Sequence, residues 1–320
     1  MLAAPDCAGC ADSTAGSRSS SPQRRALVAG GLLLALLLPP QANAERRVIH
    51  KERSLYRTIL VTKDVHRLCM QFSVKREQRN QSCKNLRDPK RILFDYAKLS
   101  FGSFLLNPQP RSILVVGLGG GTLPEAYREL LPDAHIDVVE IDQAVVDVAA
   151  EYFDYRATSP GAVHVQDARI FGKRASSQPR RYDLIVLDAF NGEYIPEHLM
   201  TREYLQETRA LLAPGGVLLA NTFSISRLYH HERATYASVF GDFIQLRTPA
   251  SSNSVIMVKN GAVPDAAQLD ANQALWQPRL KAYDVDLARV RGAMTTTPDW
   301  QLDARVLTDQ YSPANLLSTR

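Results

Sequence analysis

One stretch constrains this chain more than any other. Ser112–Thr122 reads SILVVGLGGGT, and Asp137–Asp142 after it reads DVVEID. An apolar run closes on glycines, and a second apolar run closes on an acid. That is the layout of a nucleotide-type site at the carboxyl edge of a parallel sheet. The glycines let backbone N–H groups approach a ligand, and the acid accepts from both hydroxyls of a ribose.

Spacing narrows the ligand. A dinucleotide loop of the form G-x-G-x-x-G that starts at Gly117 would need glycine where Thr122 stands. Gly117, Gly119 and Gly121 give G-x-G-x-G instead, a pattern typical of S-adenosylmethionine sites, where the loop faces a sulfonium tail and not a pyrophosphate. Glu140 is the natural ribose ligand, because one carboxylate can accept from two hydroxyls. Asp167, after the short run VHVQ, is placed either to accept from an adenine amino group or to cap the next helix. Asp188 ends YDLIVLD, at the strand end beyond which the crevice of such a sheet opens. It can hold or deprotonate an amine nucleophile there, or tie down the following loop. That loop, AFNGEYIPEHL, carries Asn191, Glu193, Tyr194, Glu197 and His198 and is expected to cover an acceptor substrate. For His198, a surface or helix-start role is the plainer reading.

The rest of the chain supplies repeated β-α units. Strands are expected at 113–116, 136–141, 163–165, 184–187 and 217–221. Helices are expected at 123–131, 143–152, 168–175, 201–212 and 233–240. The alternation implies a doubly wound α/β sheet. Two late strands, 243–247 and 254–259, have no helix between them and suggest an antiparallel end to that sheet. Before it, 56–61 and 67–74 alternate apolar and polar residues, as strands of a small antiparallel unit do. RILFDYAKLSFGSFLL, 91–106, repeats apolar residues at helical spacing and stops at Asn107-Pro108. The expected divisions are a signal over 1–44, a small β-unit with a linking helix over 45–110, a Rossmann-like core over 111–260 and a helical tail over 261–320.

Arg24-Arg25, the apolar run Ala26–Leu38 and Ala42-Asn43-Ala44 fit a secretory signal cut after Ala44. The run is too short to span a bilayer comfortably. The expectation is a periplasmic or secreted protein, with an uncleaved anchor as the alternative. Cys69 and Cys83, 14 residues apart, are then the cysteines that remain. In an oxidising compartment they invite a disulfide across a hairpin, the alternative being two buried thiols. No Cys/His cluster has metal-ligand spacing, so no metal is expected. The net charge of +5 is scattered along the chain, which argues against nucleic acid as a partner.

Taken together, ILVVGLGGGTLPEAYRELLP, VVEID, QDA, YDLIVLDAF and LLAPGGVLLANTF resemble spermidine synthase, the polyamine aminopropyltransferases, over roughly residues 54–260. The resemblance implies a seven-stranded class I methyltransferase-like core, a decarboxylated S-adenosylmethionine donor, a polyamine acceptor such as putrescine, and a homodimer as the candidate assembly. It assigns the ribose contact to Glu140, the adenine contact to Asp167, a donor contact to Gln81 and the proton acceptor to Asp188. It also marks departures. Asn191 stands for the second acid of the family's D-x-x-D, and Gly120 for an acid in its glycine loop. The family's tyrosine and histidine before the loop fall near Asp95 and Phe101. Asp95, Glu193 and Asp309 are candidates to replace the lost charge. Gly120 leaves room for the carboxylate of intact S-adenosylmethionine, so a methyltransferase on another acceptor is the second reading. A non-catalytic protein that binds a nucleoside or polyamine is the third. The terminal pattern LTD…P-x-N-L is shared with bacterial members of the group.

Overall fold

The β-rich segments form two sheets. A computed structural model describes residues 46–73, 78–157, 159–191, 194–248 and 252–313. The expected signal over 1–44 and the candidate Glu193 lie outside the described residues.

The first sheet is antiparallel and runs in chain order: β1 (Arg47–Arg53), β2 (Thr58–Lys63), β3 (Arg67–Ser73) and β4 (Gln78–Asn85). Ile59, Val61, Leu68, Met70 and Phe72 of the middle strands enter the main core. The edge strand β1, RVIHKER, buries no residue fully. Its charged sequence suits an edge open to solvent and carries no apolar alternation by which to find it. Cys69 and Cys83 face each other across β3 and β4 and are joined by a disulfide. Beside them Met70 pairs with Ser82 and Gln71 with Asn80, so Gln81 is an extra residue in β4. Such a bulge turns a side chain away from the regular pleat.

Two short helices follow, α1 (Asp95–Ser100) and α2 (Ser103–Leu106), where the sequence suggests one helix over 91–106. The chain breaks at Phe101-Gly102. A Cβ on Gly102 would sit 2.9 Å from Val290 Cγ1 and 3.0 Å from the Leu99 carbonyl oxygen, so close packing takes precedence over helical regularity.

The second sheet begins with β5 (Ser112–Val116), α3 (Thr122–Leu130), β6 (His135–Glu140), α4 (Gln143–Tyr152), β7 (Val163–Val165), α5 (Ala168–Ser176), β8 (Tyr182–Leu187), α6 (Arg202–Leu211) and β9 (Leu212–Phe223). It continues with α7 (Tyr229–Phe240), β10 (Ile244–Arg247) and β11 (Asn253–Lys259). The tail holds α8 (Ala266–Leu280), α9 (Leu287–Gly292) and β12 (Met294–Thr295). The strand order is β12-β10-β11-β9-β8-β5-β6-β7. Neighbours from β9 through β7 are parallel, and β11, β10 and β12 close the sheet antiparallel. The sheet therefore has eight strands, not seven, because the tail expected to be helical adds β12 beside β10. Alternate residues of β5 feed opposite faces, as the pleat requires. Ile113 and Val115 enter one core cluster with α3 and α4, and Leu114 and Val116 enter the other with α5 to α7. Helices thus cover both faces, and the strand ends that carry Gly117, Glu140, Asp188 and Asn221 open on one edge.

Candidate active site

That edge borders a cavity of about 430 Å³. The glycine loop forms one side. Gly117 leaves β5 with φ +96°, and a Cβ there would lie 2.3 Å from the Asp188 carbonyl oxygen. Only glycine lets the two strand ends approach so closely. Gly121 has φ +79°, and a Cβ on it would press into the Tyr155 ring at 2.6 Å. Gly117 and Gly119 line the cavity; Gly121 shapes the turn behind it. Gly120 corrects the expectation that its missing acid leaves room for a ligand. A Cβ there would meet Ser82 Oγ at 2.7 Å and the Phe153 ring at 2.8 Å, so that space is already filled.

Glu140 lies at the end of β6, 8% exposed. Its Oε2 accepts from the Leu118 N–H at 3.0 Å and its Oε1 from the Asp142 N–H at 3.1 Å. Burial pushes its carboxyl up, opposed by those two N–H donors and by the Arg57 guanidinium. Each oxygen retains a lone pair for a hydroxyl. Gln81, carried by the bulge, lines the cavity from the first sheet together with Asn80 and Ser82.

Asp167 caps the next helix, one of the two roles its sequence allowed, and stands on the cavity wall. Its Oδ1 caps α5, accepting from Arg169 N at 2.9 Å and Ile170 N at 3.0 Å, and the residue also lines the cavity. Its Oδ2 lies 2.7 Å from His198 Nε2. His198 is exposed, as expected, in the 3₁₀ turn Glu197–Leu199, and it also lines the cavity beside Pro196 and Leu199.

Asp188 sits just beyond β8. Asn221 Nδ2 donates to its Oδ1 at 2.8 Å, and the Tyr96 hydroxyl to its Oδ2 at 3.2 Å. Asn253 Nδ2 in turn donates to Asn221 Oδ1 at 2.9 Å, fixing the amide's orientation. Burial pushes the Asp188 carboxyl up to about 7, in spite of the two donors, which pull it down. A carboxyl poised there can both take and hold a proton at neutral pH. Tyr96, Asn221 and Arg57 went unrecognised in the sequence. Tyr96 stands one residue beyond the position where the resemblance puts a tyrosine. Asn221 follows an apolar strand, VLLAN, in the same way that Glu140 and Asp188 follow theirs, and that signal was available. Arg57 comes from the turn before β2. Its Nη1 donates to the Phe190 carbonyl at 3.0 Å, its guanidinium lies 4.4 Å over the Phe72 ring, and its buried Nε is paired with Asp142 Oδ2 at 3.7 Å.

Of the acceptor candidates, Asp95 lines the cavity and accepts from Thr248 Oγ1 at 3.2 Å. Asn191 and Tyr194 do not line it. They hold each other in a turn, with Tyr194 N donating to Asn191 Oδ1 and Asn191 N to the Tyr194 carbonyl, both at 3.1 Å. The Tyr194 ring packs toward Met200, Leu228 and Leu307. Asp309 is not a replacement charge for an amine: Arg169 holds it, at 2.7 Å from each guanidinium Nη. Among the described lining residues four carboxylates (Asp95, Glu140, Asp167 and Asp188) face one guanidinium. Within a chain of net charge +5, this cavity favours a cation. No group of three or more His, Cys, Asp or Glu among the described residues could hold a metal.

Comparison with known proteins places these features in context. Residues 100–250 match the family model described as spermine/spermidine synthase domain. A polyamine aminopropyltransferase of Vibrio vulnificus is 45% identical over 288 residues, which cover 89% of this chain and 96% of that protein. A probable spermidine synthase from Corynebacterium glutamicum superimposes with a TM-score of 0.61 at 20% identity, covering 80% of this chain and 97% of that one. The spermidine synthase of Thermotoga maritima gives 0.58 at 18% identity, covering 79% and 85%.

Proposed function

The chain belongs to the polyamine aminopropyltransferase family, and from that premise we propose that it moves an aminopropyl group from decarboxylated S-adenosylmethionine to an amine such as putrescine. The observation that carries this reading is Asp188. Its carboxyl is held by Tyr96 and Asn221 in the same cavity as the glycine loop and Glu140, and burial pushes it up to about 7.

In this reading Glu140 accepts from the ribose hydroxyls, Asp167 from the adenine amino group, and Gln81 and the loop of Gly117 and Gly119 border the sulfonium tail. The amine nitrogen attacks the carbon beside the sulfonium. A C–N bond forms, the C–S bond breaks, its electron pair stays on sulfur, and methylthioadenosine leaves. The nitrogen's surplus proton passes to Asp188. Holding donor and amine in line supplies much of the acceleration, since orientation alone can be worth several kcal/mol, up to about 10. Asp95 takes the acceptor's second ammonium, the task that Asn191 has no charge to perform. The excess of carboxylates supports a doubly cationic donor and a cationic acceptor.

The decisive assay offers the purified protein decarboxylated or intact S-adenosylmethionine with putrescine and follows release of methylthioadenosine. Turnover with the decarboxylated donor is expected. Release of S-adenosylhomocysteine from the intact donor, followed alongside, would establish methyl transfer instead, and binding without turnover would leave a binding protein. We also propose that the chain is exported and cut after Ala44. Cell fractionation that finds the full-length chain in the cytoplasm would refute this.

A further inference from the structure

The terminal segment LTDQYS, residues 307–312, has no part in the chemistry above, yet it is tied to the cavity's outer wall at several points. Leu307 is fully buried against Met200 and Leu228, and its carbonyl accepts from Arg202 N at 2.9 Å. Asp309 Oδ1 accepts from Thr201 Oγ1 at 2.7 Å, and Thr201 in turn caps α6. Asp309 N donates to Glu203 Oε2 at 3.0 Å. Ser312 Oγ donates at 2.8 Å to the carbonyl of Glu197, the residue before His198.

Arg169 joins this segment to the nucleoside end of the cavity. It lies two residues after Asp167, in the first turn of α5. Its guanidinium forms two forks, one to Asp309 with both contacts at 2.7 Å and one to Glu207 of α6 with both at 2.8 Å. Bidentate pairs of this kind fix direction as well as distance. The segment therefore binds three elements to one another: the start of α5, which carries Asp167; the start of α6; and the 3₁₀ turn Glu197–Leu199, which carries His198. Asp167 and His198 both line the cavity and touch each other.

We propose that Leu307–Ser312 is a strap that holds the nucleoside end of the cavity in its binding geometry, with Asp309 as the positioning residue. Asp309 touches no substrate. It acts through Arg169 on Asp167 and through Thr201 on the turn that carries His198. The inference rests on the proposed donor site but not on the identity of the acceptor. Loosening the strap weakens the donor's hold and leaves the reacting carbon, governed by Asp188 on the far side of β5, where it was.

The test is D309N, which keeps the shape and removes the charge. The expected result is a rise of about tenfold in KM for the decarboxylated donor, the scale on which supporting residues act, with kcat within about twofold. The dissociation constant of methylthioadenosine, measured by calorimetry, is expected to rise in parallel. S312A cuts only the tie to Glu197 and is expected to give a smaller rise in the same constants; it also serves if D309N fails to fold. Unchanged donor KM and nucleoside affinity in the folded variants, whatever their melting temperature, would reduce the strap to a structural element and overturn the proposal. A fall in kcat with KM unchanged would overturn it too. Failure of the parent protein to bind any nucleoside would instead overturn the donor site itself.

Discussion

Replacing Asp188 with asparagine separates two effects of one carboxyl. An aspartate titrates at 3.8 without its surroundings, and in the fold Asp188 is pushed up to about 7. Folding therefore disfavours its ionised form. The stability this group contributes is complete below pH 3.8 and is lost as pH rises through about 7. At about pH 5.5 the folded group is protonated and the unfolded group ionised, which amounts to roughly 2 kcal/mol of stability relative to pH 8.5. The asparagine amide of the variant does not titrate. The stability of the parent relative to D188N should thus fall by roughly 2 kcal/mol, or about 3 °C in melting temperature, between those two conditions. Glu232, also raised to about 7 by burial, is present in both proteins and cancels in the comparison. Activity should move the other way: the parent's kcat/KM rises with pH through about 7, and D188N loses roughly a hundred- to ten-thousandfold, the worth of a positioned general base. Thermal denaturation at the two pH values, with rates across the range, reads both effects. A stability difference that does not change with pH would show that Asp188 is not desolvated as described. A flat pH–rate profile would remove it as the base.

Three further outcomes follow from the same geometry. Y96F removes a donor that favours the Asp188 carboxylate, so the midpoint of the pH–rate profile should move to higher pH; a downward move would contradict the assigned hydrogen bond. E140Q should weaken methylthioadenosine binding by at least about tenfold in calorimetry, because each charge-assisted bond to a ribose hydroxyl is worth about 1.5–3 kcal/mol. G117A forces a Cβ to 2.3 Å from the Asp188 carbonyl at a positive φ, so it should lower the melting temperature and abolish turnover together; a stable, active G117A would show that the two strand ends are not in contact.

Residues that end an apolar strand were legible in the sequence because strand and ligand obey one rule: the crevice opens where the parallel strands stop. Gly117, Glu140 and Asp188 were found in this way, and Asn221 carried the same mark. Asp167 was legible as a helix cap because its carboxylate precedes α5 and accepts from the first free N–H groups. Other residues obey no local period. Tyr96 and Asp95 reach the cavity from a helix whose extent depends on how closely Gly102 packs on Val290, a contact 188 positions away in the chain. Arg57 and Gln81 arrive from the first sheet, one from a turn and one from a bulge. Asn191 and Tyr194 satisfy each other, and no pattern in AFNGEYIPEHL distinguishes a loop that turns on itself from one that points into the site. The edge strand β1 was missed because solvent, not a core, determines its composition.

The meeting of Gly117 with the Asp188 carbonyl has a consequence for how such an enzyme can diversify. Main chain meets main chain there, so the proposed seat of the donor and the proposed base are machined as one part. A side chain added at Gly117 would displace both at once. New acceptors must then be admitted by what reaches over the sheet edge from elsewhere: α1 with Asp95, the turn after β10 with Thr248, and the segment that follows Asp188. In this architecture the reaction is inherited whole, and the choice of acceptor is the interchangeable component.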